Sequence, residues 1–257
     1  MDVPDTLVEF GVRLAESSGD VIRNYFRVLP PIGEKADSTP VTIADKEAEE
    51  IMRGLINQHY PEHGIIGEEA ANLRENAEYV WVLDPIDGTK NYASGSYNFG
   101  TLIGLQRDNI FVLGIISQPV LGELWLGVKE KPTIFNGKPI ETRSCDTLSK
   151  AWMYSSNPAM FRGNNSGGFD RLAGSVKHSL FGSDCIGYGL LAAGHIDIVC
   201  EAQLRPWDYA AHVPIVEGAG GVISDWFGNP LTLESSGTVL ACGDRRAHKA
   251  ALKILNQ

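Results

Sequence analysis

Apolar residues in the first ~25 positions recur at helical spacing: Leu7, Phe10, Leu14, Val21, Ile22, Tyr25 and Phe26. The pattern predicts an amphipathic helix there. Thr42 with Asp45 three residues later precedes Ala48, Ile51, Met52, Leu55 and Ile56, a capping-box-like start for a second helix. A polar loop holding Lys35, Asp37 and Pro40 separates the two. After Pro61 the period changes. Ile65-Ile66 and Tyr79 to Leu83 are short apolar runs, each ending in carboxylates: Glu68-Glu69 for the first, Asp84 for the second. From Thr101 to Val128 apolar runs alternate with turn residues, Asp108-Asn109 and then Val120-Leu121-Gly122, which predicts an antiparallel meander.

A loop-rich stretch, Pro158 to Gly168, leads into a second half. Helical patterns begin there near Cys185 and at Pro206, the latter with proline at its first position and Gly220-Gly221 at its end. Short strands fit Ile196 to Cys200, Val222 to Ser224 and Val239 to Cys242, and a basic helix closes the chain. No repeat or linker divides the sequence. One domain over 1–257 is expected, its halves meeting near 145 and sharing a core of mixed α and β class.

Composition narrows the chemistry. The 257 residues carry 32 acidic and 22 basic side chains, a formal net charge of −10. That balance argues against nucleic acid, whose phosphates select basic faces. No apolar run approaches the ~18 residues of a membrane span, and the N-terminus has no secretory pattern. Cys145, Cys185, Cys200 and Cys242 form no Cys-x-x-Cys pair, so reduced thiols in a cytoplasmic setting are expected. His59 and His63 have the spacing of a zinc helix, but Pro61 between them breaks it.

The most informative segment is Trp81-Val82-Leu83-Asp84-Pro85-Ile86-Asp87-Gly88-Thr89-Lys90-Asn91. A strand ending at Asp84 would put that carboxylate where ligands bind in open α/β sheets. Pro85 removes an amide donor and frees the Ile86 carbonyl to face a cation. Asp87 adds a second carboxylate, and Gly88 lets backbone approach a ligand closely. Thr89 would open a helix whose amides favour phosphate. Such oxygen donors suit Mg2+; a solvated Asp-Pro/Asp-Gly turn is the alternative. Glu68-Glu69 equally suits a charged loop, and Asp208, in the first turn after Pro206-Trp207, suits a helix N-terminus without any metal.

Taken together, Gly67-Glu68-Glu69, the Asp84 to Thr89 run with Asn91, and Trp207-Asp208 running to Ala219-Gly220-Gly221 resemble the three metal-site motifs of the inositol monophosphatase family. Lys35 with the Thr42 to Asp45 stretch is similar to that family's upstream loop. The resemblance implies an α+β fold, a layered αβαβα sandwich, and a Mg2+-dependent, often lithium-sensitive phosphate monoesterase, as a homodimer. It implies that Glu68, Asp84 and the Ile86 carbonyl hold one Mg2+. Asp84, Asp87 and Asp208 would hold a second, with Glu68 helping a looser third. The Gly88 and Thr89 amides would cradle phosphate, Thr89 with Asp45 would orient and deprotonate the attacking water, and Lys35 would neutralise phosphate or fix a metal-bound water, a solvated loop lysine being the alternative.

Within the family, Gly182-Ser183-Asp184-Cys185, Glu201 seven residues before Asp208, and Glu217-Gly218-Ala219-Gly220-Gly221 resemble the histidinol-phosphate phosphatase branch. Histidinol phosphate carries an amine and an imidazole, so Asp184 and Glu201 become candidate substrate contacts. Asp184 equally suits a helix N-cap. Arg205 would meet phosphate, a neighbouring subunit or solvent. The expected reaction is hydrolysis of L-histidinol phosphate in histidine biosynthesis. An inositol monophosphatase of relaxed specificity, or a catalytically weak binding protein on the same fold, are the alternatives.

Overall fold

The computed structural model describes residues 3–28, 33–34, 40–162 and 166–257. Helix α1 (Asp5–Tyr25) is followed by a two-stranded ribbon, β1 (Gly33–Glu34) and β2 (Pro40–Val41), and by α2 (Ile43–His59). Next come β3 (Gly64–Gly67), β4 (Tyr79–Asp87), α3 (Thr89–Ala93), β5 (Gly100–Arg107), β6 (Ile110–Gln118), β7 (Glu123–Val128), β8 (Ile134–Phe135) and β9 (Lys138–Pro139). The second half runs β10 (Trp152–Ser155), α4 (Ser166–Ala173), β11 (His178–Phe181), α5 (Asp184–Ala192), β12 (Ile198–Glu201) and α6 (Pro206–Tyr209). It closes with α7 (His212–Gly218), β13 (Val222–Ser224), β14 (Val239–Cys242) and α8 (Arg245–Leu255).

Strands β3 to β9 form a seven-stranded sheet in sequence order, with β3 parallel to β4 and the expected β5–β6–β7 meander at its centre. The other sheet has the order β11-β10-β12-β14-β13. Period-two alternation sorts each strand between layers. On β4, Trp81 and Leu83 face α1 and α2 with Leu14, Met52 and Ile56, whereas Val80 and Val82 face the inner helices. Those helices, α5 to α7, are covered on their far side by Val199, Ile223 and Ala241 of the smaller sheet. Its other face, with Met153, Ile198 and Leu240, packs on Phe169 and Leu172 of α4 and Ala247 and Ala251 of α8. The layers are therefore αβαβα. Leu14 is fully buried, and truncating such a leucine to alanine costs about 2–5 kcal/mol.

Several elements differ from the sequence expectation: Pro40, expected in a loop, lies in β2, and the end of the Pro158 to Gly168 stretch belongs to α4. The strand that should end at Asp84 continues to Asp87, with a register shift between these two residues. Pro85 cannot donate to a ladder, so the strand bulges past it and then resumes pairing. The helix predicted from Pro206 to Gly220 is two helices, α6 and α7, meeting at Ala210 and Ala211.

That junction lies in a trough of glycines. Gly104, Gly114 and Gly127 are register partners across β5, β6 and β7. A Cβ on Gly104 would sit 2.9 Å from the Ala210 Cβ, one on Gly114 1.9 Å from the Ala211 oxygen, and one on Gly127 2.4 Å from the Ile215 nitrogen. Only glycine lets the junction lie this close to the sheet. Trp81, Trp125 and Trp226 are core residues, while Trp152 is 40 % exposed. All four cysteines are unpaired and buried. Among the described residues no helix is long and apolar enough to cross a membrane.

Candidate active site

The bulge in β4 turns two carboxylates toward one place. Asp84 Oδ1 accepts the Ile86 N–H at 3.0 Å, and the Thr101 hydroxyl donates to the Pro85 oxygen at 2.8 Å, fixing the irregular turn. Asp208 arrives from α6, where its carboxylate accepts the Arg205 N–H at 2.7 Å. The helix-terminus role and the cluster role coexist. Asp84, Asp87 and Asp208 each offer an oxygen, and these oxygens lie within 4.8 Å of one another. Glu68, just after β3, lines the same cavity and stands close enough to Asp84 to raise its pKa.

These acids are placed against their own electrostatics. Burial drives the Asp84 carboxyl well above the usual range, and Glu68, Asp87 and Asp208 add to the shift. Asp87 is driven up by burial and then by Asp184, Asp208 and Glu201, although the Cys185 N–H opposes this. Burial lifts Asp208 to about 7, against the Arg205 N–H that favours its charged form. No ion pair among the described residues joins Asp84, Asp87 or Asp208 to a lysine or arginine. Hard oxygen donors crowded together are the donor set that Mg2+ takes, so the residues present fit that ion.

Beyond the cluster, Gly88 takes a left-handed φ of 84° and stands at the N-cap of the short α3. A Cβ there would come within 2.8 Å of the Asn98 oxygen and 3.0 Å of Asp184 Oδ2. The Thr89 hydroxyl lies 3.1 Å from the Ile86 oxygen and 3.5 Å from Asp45 Oδ1. Asp45 forms the expected capping box: its other oxygen accepts the Thr42 N–H at 2.8 Å. Burial raises its pKa, against the Thr42 hydrogen bonds that lower it. Asp45 thus holds one oxygen engaged in capping and the other turned to Thr89.

A cavity of about 530 Å3 opens beside the cluster, its lining including Glu68, Asp87, Thr89 and Asp208 together with Ser156, Asp184, Tyr188 and Glu201. Asp184 does not cap its own helix: Ser183 stands at the N-cap, and Asp184 is the first helical residue at a left-handed φ of 42°. Its carboxylate accepts from the Asn91 amide at 2.5 Å, while the next amide, Cys185 N–H, is taken by Asp87 Oδ2 at 2.6 Å. Glu201 is buried, accepting the Ser156 N–H at 2.9 Å and the Tyr188 hydroxyl at 3.0 Å, and its pKa is lifted to about 7, chiefly by burial. Arg205 is exposed and does not line the cavity. Lys35 lies outside the described residues.

The sequence did not single out Ser156, Tyr188 or His212. Tyr188 and His212 stack at 3.8 Å between ring centroids, 12° from parallel, as part of the cavity lining. Burial lowers the His212 pKa to about 3, so its ring is neutral. Only their fold neighbours reveal them. Glu201 shares with Asp84 the one readable signal, a carboxylate closing or interrupting an apolar strand.

Comparison with known proteins agrees with this geometry. The model of the inositol monophosphatase family matches residues 3–257. The chain is 45% identical over 260 residues to the bifunctional phosphatase IMPL2, chloroplastic, of Arabidopsis thaliana, covering 98% of this chain and 75% of that protein. It is 31% identical over 239 residues to a histidinol-phosphatase of Chlorobaculum parvum, covering 91% of each. The solved inositol monophosphatase of Zymomonas mobilis superposes with a TM-score of 0.92 at 44% identity, covering 100% of both chains. Matched by that family model over residues 3–257, the chain belongs to the inositol monophosphatase family.

Proposed function

We propose that this chain is a Mg2+-dependent phosphate monoesterase that hydrolyses L-histidinol phosphate to L-histidinol and inorganic phosphate. The observation that carries the reading is the Asp84–Asp87–Asp208 cluster beside a cavity whose lining adds the further acids Asp184 and Glu201. Glu68, Asp84 and the Ile86 carbonyl would hold one ion, and Asp84, Asp87 and Asp208 a second, with Glu68 aiding a looser third. Bound there, Mg2+ supplies neutralisation of the phosphoryl oxygens and lowers the pKa of water.

The chain's own residues do the rest. Backbone amides at Gly88 and Thr89 would orient the phosphoryl group at the start of α3. Thr89, between the Ile86 oxygen and Asp45, would align the attacking water and pass its proton to Asp45. Burial raises the proton affinity of Asp45, which suits a general base. Asp184 and Glu201, both lining the cavity, would face the substrate's protonated amine and imidazole, which favours a cation over a neutral polyol. The relative from Chlorobaculum parvum bears the name histidinol-phosphatase. Four unpaired, buried cysteines support a reducing, cytoplasmic setting, and the family likeness supports a homodimer.

The 44% identity with the Zymomonas mobilis inositol monophosphatase favours a second reading, inositol-phosphate hydrolysis. Phosphate release with Mg2+ separates the two on L-histidinol phosphate, inositol 1-phosphate and adenosine 3′,5′-bisphosphate. Histidinol phosphate should lead in kcat/KM by about tenfold or more. Inositol 1-phosphate leading by that margin overturns the substrate assignment, and no turnover on any ester overturns the enzyme reading.

A further inference from the structure

Asp45, Glu49 and Arg53 follow one another at intervals of four along α2 and so share one face of the helix. All three are buried, with Glu49 and Arg53 1 % and 9 % exposed. Asp45 meets Thr89. One and two turns further on, Glu49 and Arg53 meet the chain that leaves β3.

There they grip three successive residues. Glu49 Oε2 accepts the Glu69 N–H at 2.8 Å, and Oε1 accepts the Ala70 N–H at 3.0 Å. Arg53 Nη2 donates to the Ala70 oxygen and Nη1 to the Ala71 oxygen, each at 2.9 Å. Arg53 Nε closes the pair on Glu49 Oε1 at 2.7 Å. Just before the gripped amides, the Glu68 N–H donates to the Leu83 oxygen at 3.3 Å, one residue ahead of Asp84 on β4. Backbone around Glu68 is thus tied on one side to the strand carrying Asp84 and on the other to the helix carrying Asp45. Gly67 makes room for the grip: a Cβ there would fall 2.5 Å from Glu49 Oε1 and 2.7 Å from Arg53 Nη2.

A desolvated ion pair is a poor device for stability, because the loss of hydration offsets much of the attraction. It is a good device for orientation, since a planar guanidinium and a carboxylate fix several backbone groups at once. We propose that Glu49 and Arg53 are positioning residues that set Glu68 against Asp84, and so tune the affinity of the site for its divalent ion without touching ion or substrate. The proposal rests on the metal-phosphatase reading above.

The test uses Mn2+ as the probe. Binding of Mn2+ to the full chain, read by electron paramagnetic resonance or calorimetry, is compared for wild type, Glu49→Gln and Arg53→Lys, with melting temperatures alongside. Both variants should bind Mn2+ about 10- to 100-fold more weakly, the scale seen when the supports of metal ligands are removed. The Mg2+ concentration for half-maximal activity should rise in parallel, while kcat at saturating Mg2+ stays within about threefold, as expected when binding alone is lost. In a Glu68→Gln background, Glu49→Gln should weaken Mn2+ binding no further, because the group it positions is already changed.

Unchanged Mn2+ affinity in both variants overturns the proposal, as does a fall in kcat at saturating Mg2+ with no change in Mn2+ binding. Additive losses with Glu68→Gln overturn it too. If Glu49→Gln does not fold, Arg53→Lys decides. Wild-type protein that binds no Mn2+ overturns the metal reading itself, a result distinct from wild type binding while the variants bind equally well.

Discussion

The carboxylate of Asp87 accepts the backbone N–H of Cys185 at 2.6 Å, so an acid from the first half of the chain is anchored to the opening turn of α5 in the second. One side chain thereby belongs to the acidic cluster and also holds the helix that borders the cavity. Asp87→Asn keeps an oxygen for that N–H while removing the charge. Turnover should fall by about 10²- to 10³-fold, the scale of losing one electrostatic stabiliser. Circular dichroism should be unchanged. Without metal the variant should melt higher than wild type, since a desolvated charge repelled by Asp184 and Asp208 is gone. Near-normal turnover at low Mg2+ would remove Asp87 from the metal site.

Divalent ions should stabilise the folded chain, because the acids are assembled only there. Saturation at about 100 times the dissociation constant corresponds to about 2.7 kcal/mol. Thermal melts with Mg2+ and with a chelator check this. The increment should vanish in Asp84→Asn, whose carboxylate sits among Glu68, Asp87 and Asp208.

Asp184→Ala should reduce kcat/KM for L-histidinol phosphate more than for a neutral phosphate ester. The side chain is held by Asn91 and lines the cavity, so it is poised for a cationic substrate. Parallel kinetics on both esters measure it. Equal losses would assign Asp184 to holding Asn91 and Gly88 instead.

At the opposite end of β4, His63 lies between the rings of Tyr60 and Tyr79, and its Nδ1 accepts the Trp81 indole N–H at 3.1 Å. Burial lowers its pKa, helped by Arg74, while Glu62 and Glu78 oppose the shift. A histidine with a depressed folded pKa favours the native state while neutral. Its contribution is complete above the unfolded value of about 6.5 and is lost as pH falls through the folded one. Urea melts of wild type and His63→Phe should therefore differ more at neutral pH than in mild acid. A pH-independent difference would show that the His63 pKa is the same in the folded and unfolded chains.

Elements with a clear period were legible in the sequence: α1, α2 and the β5–β7 meander each carry an unbroken apolar pattern, and their partners are local. The acids of the cluster were legible because they sit at the ends of such runs or beside Pro and Gly. What depends on distant packing was not. Ala210 and Ala211 read as helix interior; Pro214, which cannot donate to the Ala210 oxygen, marks the break between α6 and α7, while the glycine trough beneath them comes from distant strands. Asp184 read as a helix cap or substrate contact, but nothing local signals its left-handed backbone. Glu49 and Arg53 have the spacing of an ordinary surface pair such as Asp146 and Lys150; the burial that sets them apart comes from elements far away in sequence.

The glycine trough under Ala210 and Ala211 also decides how the two halves of the chain can fail. It fixes the stand-off between the large sheet, which bears Asp84 and Asp87, and the α6 turn, which bears Asp208. Even a methyl group at Gly114 would have to prise that turn away from the sheet. A lesion there would leave every acid in place and still disarm the pocket, so a loss mapped to this strand would report spacing and not chemistry.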